Sequence, residues 1–255
     1  MYRFFKKKLK VFDCNKKIFY KYIFFNFYLY NFFSQIYFVG LGSLSVIIVS
    51  AFFIGLVFSL QIIKEFLYLN AISLVGSVLT ISFLRELSPI LTSIILIGKI
   101  GSYFTAELAT MKVTEQIDAL YILGINPINY LILPRITALI LMLPILNLFS
   151  FITSLFSSAF ICFMLYSIDP KIFFESVFYT LSNIDIFKSC IKTIVFGFFI
   201  GLISCIWGLI TKGGAKGVGI STTSSVVTSL LCVFILDFFL SYYMFDKLDS
   251  SLKIL

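Results

Sequence analysis

Long apolar runs constrain this chain more than any other feature. A membrane-spanning helix needs about 18–20 consecutive apolar residues, and five runs are long enough, at about 38–63, 71–97, 131–155, 191–210 and 226–245. The chain is 60% hydrophobic and 13% charged, roughly half the charge of an ordinary soluble domain. We see no alternating segments of the kind that a membrane β-barrel needs. The sequence therefore predicts an all-α polytopic membrane protein with five transmembrane helices.

The residue types that are missing exclude several kinds of chemistry. The chain contains no histidine, which removes Ser-His-Asp and Cys-His nucleophile arrangements and histidine metal sites. Its five cysteines include no CxxC pair and are interpreted as small fillers inside the membrane. We therefore expect no enzyme active site, no metal and no cofactor.

The N-terminal segment, 1–37, is strongly basic and aromatic. Eight of its first 21 residues are lysine or arginine, against one acid, Asp13. Such a segment next to membrane spans is expected to lie as an interfacial helix on an anionic lipid surface. It has neither a signal-peptide cleavage site nor the composition of an organelle transit peptide.

The distribution of Lys and Arg places the N-terminus inside and the C-terminus outside. This orientation puts residues 107–135 and the glycine-rich loop TKGGAKGVG (211–219) on the inner side. Residues 166–189 then form an outer connection, in which we expect an interfacial helix. The second span is too long for one straight crossing, and Pro89 offers a position for a kink. The rest of the chain is divided into a five-helix membrane domain, 38–245, and a short tail, 246–255.

The inner polar segment, 107–135, contains a predicted short helix from Thr114 to Leu123. Thr114 serves as the expected N-cap, and Gly124 ends the helix. Ile117, Leu120 and Tyr121 share one face. Spacing alone leaves two alternatives open: a helix lying on its own membrane, or a helix that docks on a partner.

Four charged residues interrupt the apolar runs: Arg85, Glu86, Lys192 and Asp237. A lone charge at mid-bilayer costs about 2.5–3.5 kcal/mol on insertion scales, so such groups usually pair or line a wet cavity. Because the signs balance, we expect a polar cluster between helices. The alternative is that Arg85 and Glu86 mark an interface and that Lys192 reaches the surface.

Two further patterns are weaker. No GxxxxGK[ST] phosphate-binding loop occurs, so any ATP hydrolysis is expected in a different chain, and the TKGGAKGVG loop is interpreted as an inner turn. Gly98, Ser102 and Ala106 recur every four residues, which suits either a dimer seam or packing within the chain.

Residues 85–135, RELSPILTSIILIGKIGSYFTAELATMKVTEQIDALYILGINPINYLILPR, resemble the permease subunit of MCE-type lipid ABC transporters, the MlaE family of bacteria and the TGD permease of chloroplasts. TKGGAKGVGISTTSSVV and LDFFLSYYMF resemble the last inner loop and last helix of that family. The resemblance spans roughly 40–245. Two departures are Ser88, where the family commonly has glycine, and Lys216, where an acidic residue is frequent.

The resemblance implies a homodimeric permease that moves phospholipid and works with an ABC ATPase and an MCE-domain lipid-binding protein. It also implies that the short inner helix is a coupling helix, at about 113–124, seated on the ATPase. The residues assigned to coupling are Glu115, Gln116, Ile117, Asp118, Ala119, Leu120 and Tyr121. In this account Arg85, Glu86, Lys192 and Asp237 brace the lipid cavity or meet the headgroup.

Two other function classes remain as alternatives: an ion-driven secondary transporter, which lacks the expected internal repeat, and a non-transporting assembly factor. The abundance of Phe, Tyr, Ile, Lys and Asn suggests an AT-rich genome. Together with the missing transit peptide, this favours the inner envelope of a plastid, with a bacterial inner membrane as the alternative.

Overall fold

A computed structural model describes the backbone of residues 2–245 and the side chains of residues 31–71 and 73–244. The described backbone is helical throughout, with short turns and no strand. The predicted tail, 246–255, and the basic side chains of the N-terminal segment lie outside the described parts. In chain order the helices are α1 (Tyr2–Tyr68), α2 (Val75–Ser82), α3 (Ser88–Leu96), α4 (Ser102–Val113), α5 (Gln116–Ile122), α6 (Leu133–Tyr166), α7 (Pro170–Thr180), α8 (Asn183–Ile210) and α9 (Gly214–Phe245).

Five stretches of the described chain are long and apolar enough to cross a membrane, which confirms the predicted fold class. They are Asn31–Tyr68, Val75–Val113, Ile128–Tyr166, Asn183–Ile210 and Gly214–Met244, and we number them as the first to fifth spans. Each is longer than its apolar run, because polar residues such as Glu107 and Lys112 continue the helix beyond the apolar part. Inner and outer denote the two ends of the helix bundle in the predicted orientation.

The second span is assembled from α2, α3 and α4, joined by π-helical turns at Phe83–Leu87 and Ile97–Gly101. The first turn contains Arg85 and Glu86 and ends at Leu87. Pro89 follows as the second residue of α3. Proline has no backbone N–H, so it cannot donate the usual helical bond to the carbonyl of Arg85. The helix is irregular at this predicted position because one backbone acceptor loses its donor.

The core has two apolar clusters with a polar layer between them. The inner cluster includes Ile100, Phe104, Leu139 and Phe196. The outer cluster is built mainly by the first three spans and α7. Polar residues of the second, third and fourth spans lie between them, and they are fully buried: Ser88, Thr92, Ser93, Asn147, Ser150, Ser189, Lys192 and Thr193. This layering places the charged residues at the middle of the bundle.

The outer connection contains α7, which packs on α2. Phe173 and Val177, one helical turn apart, are buried in this contact. A Cβ atom at Gly76 of α2 would lie 2.7 Å from the Phe173 carbonyl, so α7 approaches α2 closely. On the other face Phe178 and Tyr179 are exposed, which is the amphipathic pattern of the expected interfacial helix.

The inner helix differs from its prediction at the start. Thr114 does not cap α5. Its N–H and its hydroxyl both donate to the Thr110 carbonyl, at 2.9 and 2.8 Å, so Thr114 ends α4 instead. Glu115 follows in a left-handed conformation with φ of 59° and forms the corner between the helices. At the other end Gly124, with φ of 75°, stops α5 as predicted, and the Ile125 N–H donates to the Leu120 carbonyl.

Candidate functional site

Lys192 is at the centre of the intramembrane cluster. Its side chain is completely buried, and oxygen atoms of the second and fifth spans surround its ammonium group. Nζ lies 3.1 Å from Glu86 Oε2 and 2.6 Å from Asp237 Oδ1. It also donates to the hydroxyl of Ser241 at 2.8 Å. Three of the four predicted cluster residues therefore meet through direct ion pairs, which offset the cost of burying each charge.

Pro89 helps to explain why Lys192 lies here. The Lys192 ammonium donates to the Arg85 carbonyl at 2.9 Å. This is the acceptor that Pro89 leaves without its normal helical donor. The irregular backbone of the second span thus supplies a hydrogen-bond acceptor for the Lys192 ammonium group of the fourth span.

The Arg85 side chain has a partner that the sequence analysis did not identify. Its Nη2 lies 3.2 Å from Asp185 Oδ2, at the beginning of α8. The apolar run of the fourth span begins at 191, so Asp185 lies in the predicted outer connection. The signal was a capping pattern: the Ser182 hydroxyl accepts the Asp185 N–H at 3.1 Å, so Ser182-x-x-Asp185 marks the helix start.

A neutral hydrogen-bond chain, also unpredicted, lies beside the cluster. The Ser88 hydroxyl donates to Asn147 Oδ1 at 2.5 Å, and Asn147 Nδ2 donates to the Ser189 hydroxyl at 2.9 Å. All three side chains are buried. The chain connects the second, third and fourth spans one helical turn from Lys192.

The cluster opens to one side of the bundle. The Glu86 side chain is 42% exposed, whereas the side chain of its partner Lys192 is fully buried. The fifth span, which carries Asp237, is the least buried, with 17% of its most apolar stretch inside the bundle against 44% for the second and fourth spans. A half-exposed carboxylate at this depth needs water or another polypeptide beside it.

On the inner side, α5 presents an apolar edge. Tyr121, Ile122 and Leu123 are 58%, 88% and 72% exposed. Ile117 points the other way and is buried, and Leu120 is half-buried. Of the large apolar residues assigned to coupling, the exposed edge includes Tyr121 alone. Ile122 and Leu123, which the sequence did not single out, complete it.

The polar residues of α5 have distinct surroundings. Asp118 pairs with Lys112 of α4 through both carboxylate oxygens, at 3.0 and 3.2 Å. Gln116 is exposed, as are Glu115 at the corner before α5 and the small apolar residue Ala119. The Lys112 pair holds the first turn of α5 against the end of α4.

An ion pair joins the two ends of the inner polar segment. Arg135 Nη2 lies 2.8 Å from Glu107 Oε2, and the guanidinium stands 5.3 Å from the centre of the Phe104 ring. The Arg135 side chain is only 3% exposed, although it begins a membrane span. This pair links α4 to α6 across the segment that carries α5.

The geometry defines a class before any comparison: a five-span helical membrane protein with a charged cluster in its interior and a short amphipathic helix presented on one side. The family model described as Permease MlaE matches residues 32–243, and the chain belongs to that family.

Several curated relatives are similar over most of the chain. It is 55% identical to the probable ABC transporter permease protein ycf63 of Pyropia yezoensis, over 86% of this chain and 83% of the relative. It is 48% identical to the probable ABC transporter permease protein slr1045 of Synechocystis, over 83% of this chain and 81% of that protein. It is 47% identical to the protein TRIGALACTOSYLDIACYLGLYCEROL 1, chloroplastic, of Arabidopsis thaliana, over 83% of this chain and 60% of that protein.

Proposed function

We propose that this chain is the permease subunit of an ABC transporter that moves phospholipid or a related lipid and is powered by a separate ATPase. The observation that carries the proposal is the exposed apolar edge of α5, outside the membrane, in a chain of the MlaE permease family. The names of the ycf63 and slr1045 proteins favour the ABC class over an ion-driven transporter or an assembly factor. The name of the Arabidopsis relative includes a glycerolipid, which favours a lipid substrate.

The coupling role of α5 follows from its two faces. Ile117 and the Lys112–Asp118 pair attach the helix to α4, while Tyr121, Ile122 and Leu123 remain available to a groove on the ATPase. Helix-in-groove recognition uses an exposed apolar edge of this kind. Because α5 is held at its first turn, closure of the ATPase would move α5 together with α4 as a rigid unit.

The lipid path is proposed to lie beside the Lys192 cluster. Glu86 faces outward next to the sparsely buried fifth span, so a second copy of the chain covering this side would enclose a cavity with a polar wall. Gly98 supports a homodimer as well, because a Cβ atom added there would meet nothing within 4 Å. On this proposal the stripe of Gly98, Ser102 and Ala106 forms part of the dimer seam.

The other partners and the location complete the proposal. An MCE-domain protein would receive or deliver the lipid on the outer side. The relatives with the names ycf63 and TRIGALACTOSYLDIACYLGLYCEROL 1, chloroplastic, favour a plastid inner envelope over a bacterial inner membrane.

Co-purification tests the proposal directly. The tagged chain is extracted from its native membrane in a mild detergent, and the bound proteins and lipids are identified by mass spectrometry. We expect an ABC ATPase at a stoichiometry of one per permease, together with glycerolipid. Recovery of the permease without any ATPase would contradict the proposed function.

A further inference from the structure

The connection from α5 to α6 along the chain itself has few buried contacts. After α5 the chain passes through Gly124 and the π-helical turn Ile128–Ile132, in which no residue is buried. Ile128 and Asn129 are exposed and the other three residues of the turn are half-buried, so this turn is a less direct route to α6 than a contact between helices. By contrast, α5 is attached to α4 through Ile117 and the Lys112–Asp118 pair.

The Arg135–Glu107 ion pair bypasses this exposed turn. It joins α6 directly to α4, at a separation of 2.8 Å between Nη2 and Oε2. Phe104, which contacts the guanidinium, belongs to the inner apolar cluster that also contains Leu139 of α6. A movement of α4 therefore reaches the beginning of the third span through a buried contact.

The surroundings of Arg135 make this contact depend on Glu107. Arg135 Nη1 has no hydrogen-bond partner within the described residues. Glu107 is the carboxylate paired with Arg135, and the Phe104 ring lies beside the guanidinium. A buried cation that loses its carboxylate must rearrange toward water. Loss of the Glu107 charge is thus expected to release α6 from α4.

We infer that Arg135 and Glu107 are positioning residues that form a brace between the second and third spans and carry motion of the inner helix into both. The inference rests on the proposed function, in which the ATPase pushes on α5. Neither residue is expected to contact lipid. The brace determines the amount of lipid moved for each ATP hydrolysed.

The test uses the full permease co-expressed with its ATPase and its outer lipid-binding partner, purified and reconstituted in vesicles that contain a fluorescent phospholipid. Glu107→Gln keeps the side-chain shape and removes the charge. Thr211→Val is the matched control, because it removes a buried inner hydrogen bond to Ser221 (2.8 Å) away from the brace. ATPase binding, ATP hydrolysis, lipid transfer and thermal stability are measured for each complex.

We expect Glu107→Gln to keep ATPase binding and hydrolysis while lipid transferred per ATP falls by about three- to thirtyfold. Thr211→Val should leave transfer per ATP unchanged even where its stability falls equally. Unchanged transfer per ATP in Glu107→Gln, or a loss matched by Thr211→Val, would overturn the brace. Loss of ATPase binding in Glu107→Gln would also overturn it, since the residue would then act in docking.

A second variant keeps the test decisive if Glu107→Gln does not accumulate. Arg135→Lys retains the positive charge but not the planar guanidinium, and the same comparison with Thr211→Val applies. If the unaltered permease itself binds no ATPase, the proposed function fails. That result is distinct from every outcome expected of the variants.

Discussion

Arg135 Nη2 and Glu107 Oε2 lie 2.8 Å apart and close the inner polar segment into a loop whose two ends are tied together. Within that loop α5 is attached to α4 by the Lys112–Asp118 pair and exposes Ile122 at its tip. The polar segment is thus a closed structural unit. One exposed edge of the segment is apolar, and ion pairs attach it to α4 and α6, as expected of a segment that transmits force from a partner.

Replacing Lys192 by methionine should strongly destabilise the protein. The substitution removes the cation that lies 3.1 Å from Glu86 and 2.6 Å from Asp237, and leaves both carboxylates at membrane depth. Breaking one partner of a buried ion pair costs about 3–5 kcal/mol. The free energy of unfolding, measured by denaturing-detergent titration, should fall by that amount, whereas Lys171→Met on exposed α7 should change it little. Equal effects would show that the cluster contributes no specific stabilisation.

The Ser88 hydroxyl should contribute measurable stability. Ser88→Gly replaces it with the residue common in the family and leaves Asn147 Oδ1 without the donor now at 2.5 Å. An unsatisfied buried acceptor costs about 1–3 kcal/mol. Ser50→Ala is the matched control, since that hydroxyl bonds only to carbonyls of its own helix. Loss of stability no larger than that of Ser50→Ala would mean that the hydrogen-bond chain is not a stabilising link.

The apolar edge of α5 should carry the affinity for the ATPase. Ile122→Asp places a charge on a side chain that is 88% exposed, so the permease should fold normally while the partner groove rejects it. Losing an interface hot spot of 2 kcal/mol or more weakens binding by about thirtyfold. Affinity is measured with the detergent-solubilised permease immobilised. Tyr68→Asp, on an exposed apolar residue at the outer end, is the control and should bind as before.

Reversing the charge of Asp118 should also weaken ATPase binding, but less and for a different reason. Asp118→Lys removes the ion pair with Lys112 and places two cations together, so α5 should be held less firmly on α4 and binding should weaken by up to about fivefold. The exchanged pair Lys112→Asp with Asp118→Lys restores opposite charges and should recover much of the binding. Because the pair is largely exposed, folding of the spans should not change. Full ATPase binding by the single variant would contradict the role of this tie.

Much of the fold could be predicted because the membrane imposes long apolar runs. The five spans and the meeting of Lys192 with Glu86 and Asp237 follow from the high cost of lone intramembrane charges. The pairing of Arg85 with Asp185 could not be obtained in this way. Asp185 lies outside the apolar run, and the helix that places it in contact extends beyond that run.

The inner segment shows a different limit. The stop at Gly124 was predictable because a left-handed residue favours glycine. The start was not, because Thr114 could serve equally well as an N-cap or as the last residue of the preceding helix. Its hydrogen bonds to Thr110 reflect the continuation of α4 well past the apolar run. Spacing placed Ile117, Leu120 and Tyr121 on one face, but the structure buries Ile117 and exposes Tyr121, because spacing alone does not show which side of the helix packs on α4.

Transfer of a fluorescent phospholipid tests the central claim most directly. The permease is reconstituted in vesicles with its ATPase and outer partner, and transfer to acceptor vesicles is followed with ATP and with a non-hydrolysable analogue. We expect transfer that requires ATP hydrolysis and is strongly reduced by Ile122→Asp. Transfer that proceeds equally without hydrolysis, or that survives Ile122→Asp unchanged, would contradict it.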